Sequence, residues 1–184
     1  EIPVRDVISW NTLIAGYAHQ GYYHNALHCF EQMQIEDLFP DVITYKCILK
    51  ACGKAGIVEK GKLIQMDIMC RILIEKDITI CNALIEMYAN SGMVAKAHEV
   101  LEDLSIRDTL TWNALIMGYV KKKEGHEALN CFDQMRNEGL SPDAFTFVNV
   151  LKVCGTLEAI KEGAKIHEIV LTRCFLGKNP FLGT

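Results

Sequence analysis

Eight cysteines and six histidines are the residues of this 184-residue chain best suited to metal or nucleophilic chemistry, and their spacing supports neither. Cys29, Cys47, Cys52, Cys70, Cys81, Cys131, Cys154 and Cys174 form no C-x-x-C pair, and most stand beside Leu, Ile, Phe or Ala at helical spacing. That is how small core residues are placed in a protein whose thiols stay reduced. His24 and His28 are four residues apart, as two zinc ligands on a helix would be, but the Glu of H-E-x-x-H is missing, and His126-Glu127 has no second His. The H-x-E and P-C-x-x-C signature of zinc deaminases, a P-loop, a G-x-S-x-G elbow and a dinucleotide fingerprint are all absent from the sequence. The expectation is a chain with no catalytic residue, no metal and no cofactor.

Binding chemistry is the remaining class. Lys121-Lys122-Lys123 is a basic run of the kind that ends a helix or meets phosphate. The chain as a whole has 19 basic and 23 acidic residues, a net charge of -4, so it is no polycation that holds nucleic acid by charge alone. Half of the residues are hydrophobic, 23% are charged and only 4 are Pro, a composition that packs a core. No apolar run reaches the roughly 18–20 residues of a membrane span, and no membrane contact is expected. No signal-like leader opens the chain, and with Glu1 at its start the expectation is an excised piece.

The elements that position these side chains emerge when the chain is laid over itself. Ser9-Trp10-Asn11-Thr12-Leu13-Ile14-Ala15-Gly16-Tyr17 returns as Thr111-Trp112-Asn113-Ala114-Leu115-Ile116-Met117-Gly118-Tyr119, an offset of 102 residues, and 13 of the 25 positions from 9 to 33 are identical in the second copy. Leu49-Lys50, Cys52-Gly53 and Gly61 return as Leu151-Lys152, Cys154-Gly155 and Gly163. Between the copies, Cys81-Asn82-Ala83-Leu84-Ile85-Glu86-Met87-Tyr88 restates the pattern a third time. This ruler divides the chain into units 7–41, 42–77, 78–108, 109–143 and 144–179, of 35, 36, 31, 35 and 36 residues. Residues 1–6 close a preceding short unit, and residues 180–184 open a following one.

Each unit reads as two short helices. Trp10, Leu13, Ile14, Tyr17 and Ala18 recur at i, i+3, i+4, i+7 and i+8, and Gly21 follows as a stop. Ala26, Leu27, Phe30 and Met33 repeat the stripe in a second helix that Pro40 is expected to close. A lone helical hairpin cannot bury its stripe, so the units must stack. The expected fold class is all-α, a right-handed α-solenoid superhelix of helix-turn-helix repeats. Trp10, Trp112, Tyr17, Tyr88 and Tyr119 lie on the apolar stripe and are expected in the core.

The spacing Trp10, Leu13, Tyr17, Ala26, Phe30 and the unit length near 34 fit the tetratricopeptide repeat, whose members bind peptides. Against that family, Ile14 replaces its Gly, Pro comes 30 residues after Trp10, and Asn follows the aromatic residue or its equivalent in three units. The alternation of long and short units is foreign to it as well. The chain more closely resembles the pentatricopeptide repeat family, in the plant variant whose standard, long and short repeats alternate. Ser9–Tyr17 with Pro40-Asp41, and Thr111–Tyr119 with Pro142-Asp143, look like standard repeats. Thr44-Tyr45-Lys46-Cys47-Ile48-Leu49-Lys50-Ala51-Cys52 with Glu59-Lys60-Gly61-Lys62 is similar to the long form, and Asn82–Ala89 with Ile106-Arg107-Asp108 to the short one.

The resemblance implies sequence-specific binding of single-stranded RNA at one base per repeat, selected by the fifth and last residues of each. Those residues are Asn11 and Asp41, Asn82 and Asp108, and Asn113 and Asp143, a pair the family assigns to uracil. An amide offers donor and acceptor, and a carboxylate accepts directly or through water, as from uracil N3–H. Lys46 with Asp77 and Val148 with Asn179 occupy the same places in the long units, where weak base selection is expected. Asp6 and Thr184 are half-readers at the two ends. The implied site is 5′-U-N-U-U-N-3′.

Ile8, Ile43, Thr79, Leu110 and Phe145, the second residues, would flank the bases, and His19, Lys54 and Lys121 would face backbone phosphate. The alternative for the Asn and Asp residues is helix capping, although Ser9 and Thr111 already offer capping oxygens two residues before Asn11 and Asn113. The resemblance further implies an address module of a mitochondrial or chloroplast RNA-processing factor, most readily one for C-to-U editing. Small accessory editing factors on the long repeats, or a larger ribonucleoprotein, would be its partners. A protein-binding scaffold is the competing function, and it has no reason to distinguish uracil from guanine.

Overall fold

The computed structural model describes residues 6–70 and 77–178, with side chains for 6–69 and 77–172. Among the described residues the chain is all α, with ten helices and no strand. They are α1 (Val7–His19), α2 (Tyr23–Ile35), α3 (Val42–Ala55), α4 (Val58–Cys70), α5 (Ile78–Asn90), α6 (Val94–Glu102), α7 (Thr109–Lys122), α8 (Gly125–Asn137), α9 (Ala144–Thr156) and α10 (Ile160–Lys178). The helices at odd positions begin at residues 7, 42, 78, 109 and 144, where the repeat ruler starts its units. No helix among the described residues is long and apolar enough to cross a membrane.

The chain forms two compact units, one up to Arg107 and one from Asp108. In the first, α1 packs on α2, α3 packs on both and on α4, and α5 packs on α3, α4 and α6. In the second, α7 packs on α8, α9 on both, and α10 on α9. Each unit is thus a stack of helical hairpins, the building plan of an α-solenoid, in which neighbouring hairpins cover one another's apolar stripes.

Hairpin closure repeats at the offset of 102 residues. Trp10 donates from Nε1 to Glu36 at 3.0 Å, and Trp112 to Glu138 at 2.9 Å, tying the first helix to the end of the second while the indole rings stay buried. Phe30 meets Tyr45 edge-on at 6.4 Å, and Phe132 meets Phe147 edge-on at 6.3 Å, with the Arg136 guanidinium 5.6 Å from the Phe132 ring. Trp10, Trp112, Tyr88 and Tyr119 are core residues as expected, but Tyr17 is 36% exposed.

The turns keep their backbone even where the glycine is lost. Gly21, Gly56 and Gly139 have φ of 83°, 71° and 78°, and the residues 102 positions away from them, Lys123, Glu158 and Asp37, have φ of 63°, 52° and 57°. The hairpin geometry dictates the left-handed conformation, and a side chain there is strained. The same turns correct the expected role of Pro40. Helix α2 stops at Ile35, and the left-handed Asp37 ends it ahead of the proline.

Of the cysteines, Cys52, Cys81, Cys131 and Cys154 are buried free thiols, whereas Cys29 and Cys47 are only half-buried. The side chains of Cys70 and Cys174 lie outside the described residues. Burial pushes the Cys52 thiol up to about 11 and that of Cys131 up to about 12.

Candidate nucleic-acid interface

The site is built on helix caps. Asp6, Asp41, Asp77, Asp108 and Asp143 are the N-caps of α1, α3, α5, α7 and α9, each in extended backbone with its carboxylate accepting a first-turn N–H. Ser9, Thr44, Thr111 and Thr146 stand at the third helical position and close the turn against the carboxylate. At Thr44, Thr111 and Thr146 the hydroxyl also accepts the cap's own N–H, completing a capping box. The capping reading therefore holds for the aspartates. It does not hold for Asn11 and Asn113, which sit inside α1 and α7, nor are Ser9 and Thr111 themselves the caps.

Two of the capping carboxylates, Asp41 and Asp143, also serve the hairpin before them. Asn11 donates from Nδ2 to both oxygens of Asp41, each at 3.0 Å, and its Oδ1 accepts from the Thr44 hydroxyl at 2.5 Å. Asn113 donates to Asp143 at 3.1 Å and accepts from Thr146 at 2.6 Å. The fifth and last residues of units 7–41 and 109–143 are thus in contact, although 30 residues apart in sequence. Burial alone would raise the Asp41 and Asp143 carboxyls, but the N–H and hydroxyl of Thr44 or Thr146 and the Asn amide outweigh it and hold both below the usual carboxylate range. Thr79, chiefly through its hydroxyl, holds Asp77 low, and Ser9 does the same for Asp6.

The amides are less open than free readers would be. Asn11 is 8% exposed and Asn113 5%. Asn82 is half-buried on α5, while Lys46 and Val148, the fifth residues of the long units, are exposed. All five second residues are exposed, and four of them are large and apolar: Ile8, Ile43, Leu110 and Phe145, with Thr79 the fifth. Ile8 lies one turn before Asn11, and Leu110 one turn before Asn113, so each narrow polar edge has an exposed apolar neighbour on the same helix face. His19, Lys54 and Lys121 are exposed in the last turns of α1, α3 and α7. Asn179 and Thr184 lie outside the described residues.

Three contributors were not among the expected residues. Thr44 and Thr146 have no exposure and bond directly to the amides; their equivalence at the 102-residue offset was the available signal. Lys50 is exposed between Lys46 and Lys54, and the four-residue spacing makes a basic line down α3.

The sequence profile of the PPR repeat family matches residues 5–54 and 107–156, and that of the PPR repeat matches 79–107. Pentatricopeptide repeat-containing protein At4g30700 of Arabidopsis thaliana is 35% identical over 94% of this chain and 22% of its own length. The chloroplastic pentatricopeptide repeat-containing protein DOT4 of the same plant is 35% identical over 95% and 20%. The chain thus spans about a fifth of the length of these relatives. Among solved structures, the pentatricopeptide repeat protein PPR10 in complex with an 18-nt psaJ RNA element is similar with a TM-score of 0.76, at 23% identity over 88% of this chain and 24% of that one. The PPR domain of Arabidopsis thaliana protein-only RNase P 1 in complex with tRNA is similar with a TM-score of 0.65, at 12% identity over 84% and 83%.

Proposed function

The chain belongs to the pentatricopeptide repeat family, and on that premise we propose that it binds single-stranded RNA at one base per unit, over the units 7–41, 42–77, 78–108, 109–143 and 144–179. The observation that carries this reading is the recurrence of one arrangement at Asn11 with Asp41 and at Asn113 with Asp143. In both, an amide is anchored to a carboxylate and bordered by exposed apolar residues. Such a group offers a polar edge to a base and an apolar side chain to its face. In the sequence Asn82 and Asp108 hold the fifth and last places of unit 78–108, so the site read is U-N-U-U-N.

The long unit 42–77 contributes differently. Lys46, Lys50 and Lys54 make ionic contact with the strand and select no base, which accounts for the unspecified second position. Val148 leaves the fifth position unspecified too. The mixed-length repeat pattern and the chloroplastic relatives support a role as the address module of an organellar RNA-processing factor, with C-to-U editing as the reaction and catalysis supplied from outside these residues.

A second reading rests on α4. Leu63, Met66 and Met69 are 60%, 62% and 63% exposed on this helix of the long unit, a surface suited to a protein partner such as an accessory editing factor.

The test is binding to a 12-nucleotide RNA carrying U-N-U-U-N, compared at about 0.15 M salt with the same RNA carrying G at the three U positions and with its DNA counterpart. Tighter binding to the uracil RNA supports the reading. Equal binding to all three, or none, overturns it in favour of a protein scaffold.

A further inference from the structure

Thr44 and Thr146 are fully buried, polar and in contact with the readers, yet neither is at a position assigned to base selection. We propose that they are positioning residues that fix the Asn11 and Asn113 amides, so that selection by one unit depends on a third residue borrowed from the first helix of the next. The inference rests on the base-reading proposal above.

Proton accounting supports it. The Thr44 hydroxyl accepts from the Asp41 N–H at 3.1 Å, and its single proton has two acceptors in range, Asn11 Oδ1 at 2.5 Å and Asp41 Oδ1 at 2.9 Å. Asp41 Oδ1 already receives the Thr44 N–H at 2.8 Å and the Asn11 amide at 3.0 Å. Asn11 Oδ1 has no other donor among the described residues. The proton therefore goes to the amide oxygen, where it satisfies a buried acceptor. Pinned at Nδ2 by the carboxylate and at Oδ1 by the hydroxyl, the amide has its plane and its remaining donor and acceptor directions set before a base arrives, which lowers the ordering cost of recognition.

The chain carries its own control. The third residue of the following unit is Thr after each Asn reader, namely Thr44 after Asn11, Thr111 after Asn82 and Thr146 after Asn113. After Lys46 it is Ile80, which is buried and has no hydroxyl, and there Asp77 caps α5 through Thr79 instead. The hydroxyl is present where an amide needs orienting and absent where a lysine stands in its place. Capping alone does not require this pattern, because Asp77 caps without it.

The experiment uses the whole chain and RNAs that differ only at the base facing unit 7–41. Thr44→Val removes the hydroxyl at nearly constant volume, and Thr44→Ser keeps it. The expected result is a fall of about 2- to 10-fold in the uracil-over-guanine ratio at that base, restored by Thr44→Ser, with the base facing unit 109–143 read as before. Thr146→Val should show the converse. Thr44→Val also removes a capping-box acceptor and lowers thermal stability, but both RNAs meet the same folded population, so the ratio reports positioning alone.

An unchanged ratio overturns the inference, as does an equal loss of affinity for every base or a loss at both positions at once. If the unsubstituted chain shows no discrimination, the base-reading proposal fails, and the positioning claim is then decided in RNA-free protein. There, the side-chain amide resonances of Asn11 must move in Thr44→Val and return in Thr44→Ser. Resonances that stay in place overturn it.

Discussion

Asn113 is the side chain where a structural role and the proposed base-reading role meet. It is almost entirely buried, which ordinarily marks a structural residue, yet among the described residues its amide bonds to the carboxylate and hydroxyl that begin the next hairpin. A group that merely held α7 to α9 would be replaceable with equal loss for every RNA. A reader would not. Asn113→Thr is predicted to move the preference at that base from uracil towards guanine, with a discrimination of about 1–3 kcal/mol, measured by titration against RNAs differing at one position. A uniform loss of affinity would assign Asn113 to packing. The Asn at the fifth position was legible in the sequence because it recurs three times after an aromatic residue or its equivalent. Its burial was not legible, because Thr44 and Thr146 reach it from 33 residues away.

At the level of helices and turns, the two copies diverge where a neighbour is present in one and absent in the other. A Cβ on Gly53 would come within 2.8 Å of the Met87 Cα on α5, whereas a Cβ on Gly155, its counterpart in α9, would meet nothing within 4 Å. Gly53→Ala is therefore expected to destabilise this chain by about 1–3 kcal/mol. Gly155→Ala should stabilise it by up to about 1 kcal/mol, since a helix-interior glycine then gains only rigidity. Denaturant titration of the two variants should give opposite signs. The turn after α7 offers a third change: Lys123 holds a left-handed backbone where the first copy has Gly21. Lys123→Gly should raise stability by about 0.5–1 kcal/mol, and a loss on thermal unfolding would mean that the side chain compensates for its strain.

Across the whole molecule, the caps make stability depend on acid in one direction. Asp6, Asp41, Asp77 and Asp143 have carboxyls held below their ordinary value in the fold, so the ionised form is the one that folding favours. Their contribution is complete above the unfolded value and is lost as pH falls through the native ones. Thermal stability should stay level from about pH 7 to 5 and drop below about pH 4; a chain insensitive to acid would show that the carboxylates do not support the helix starts. RNA binding should weaken only gently with salt. Four lysine contacts, from Lys46, Lys50, Lys54 and Lys121, imply a log–log slope no steeper than about −3. A steeper slope would mean that charge, and not the amide readers, dominates recognition.

Periodicity determined the helices, their pairing and the length of each unit, because a stripe at i, i+3, i+4 and i+7 can be buried only by a partner with the same stripe. The twofold copy at 102 residues and the Asp that ends four of the five units were also fixed by sequence alone. The tertiary structure decided three further matters. It set left-handed backbone at Asp37, Lys123 and Glu158 despite their side chains, because hairpin closure outweighs local preference. It joined the cap of one hairpin to the Asn amide of the one before, since a single carboxylate has oxygens enough for both. It also packed Gly53 against the Met87 backbone of α5 and left Gly155 open, although the two occupy the same place in the repeat. Burial depends on which helices lie alongside, and a repeat pattern is the same with or without them.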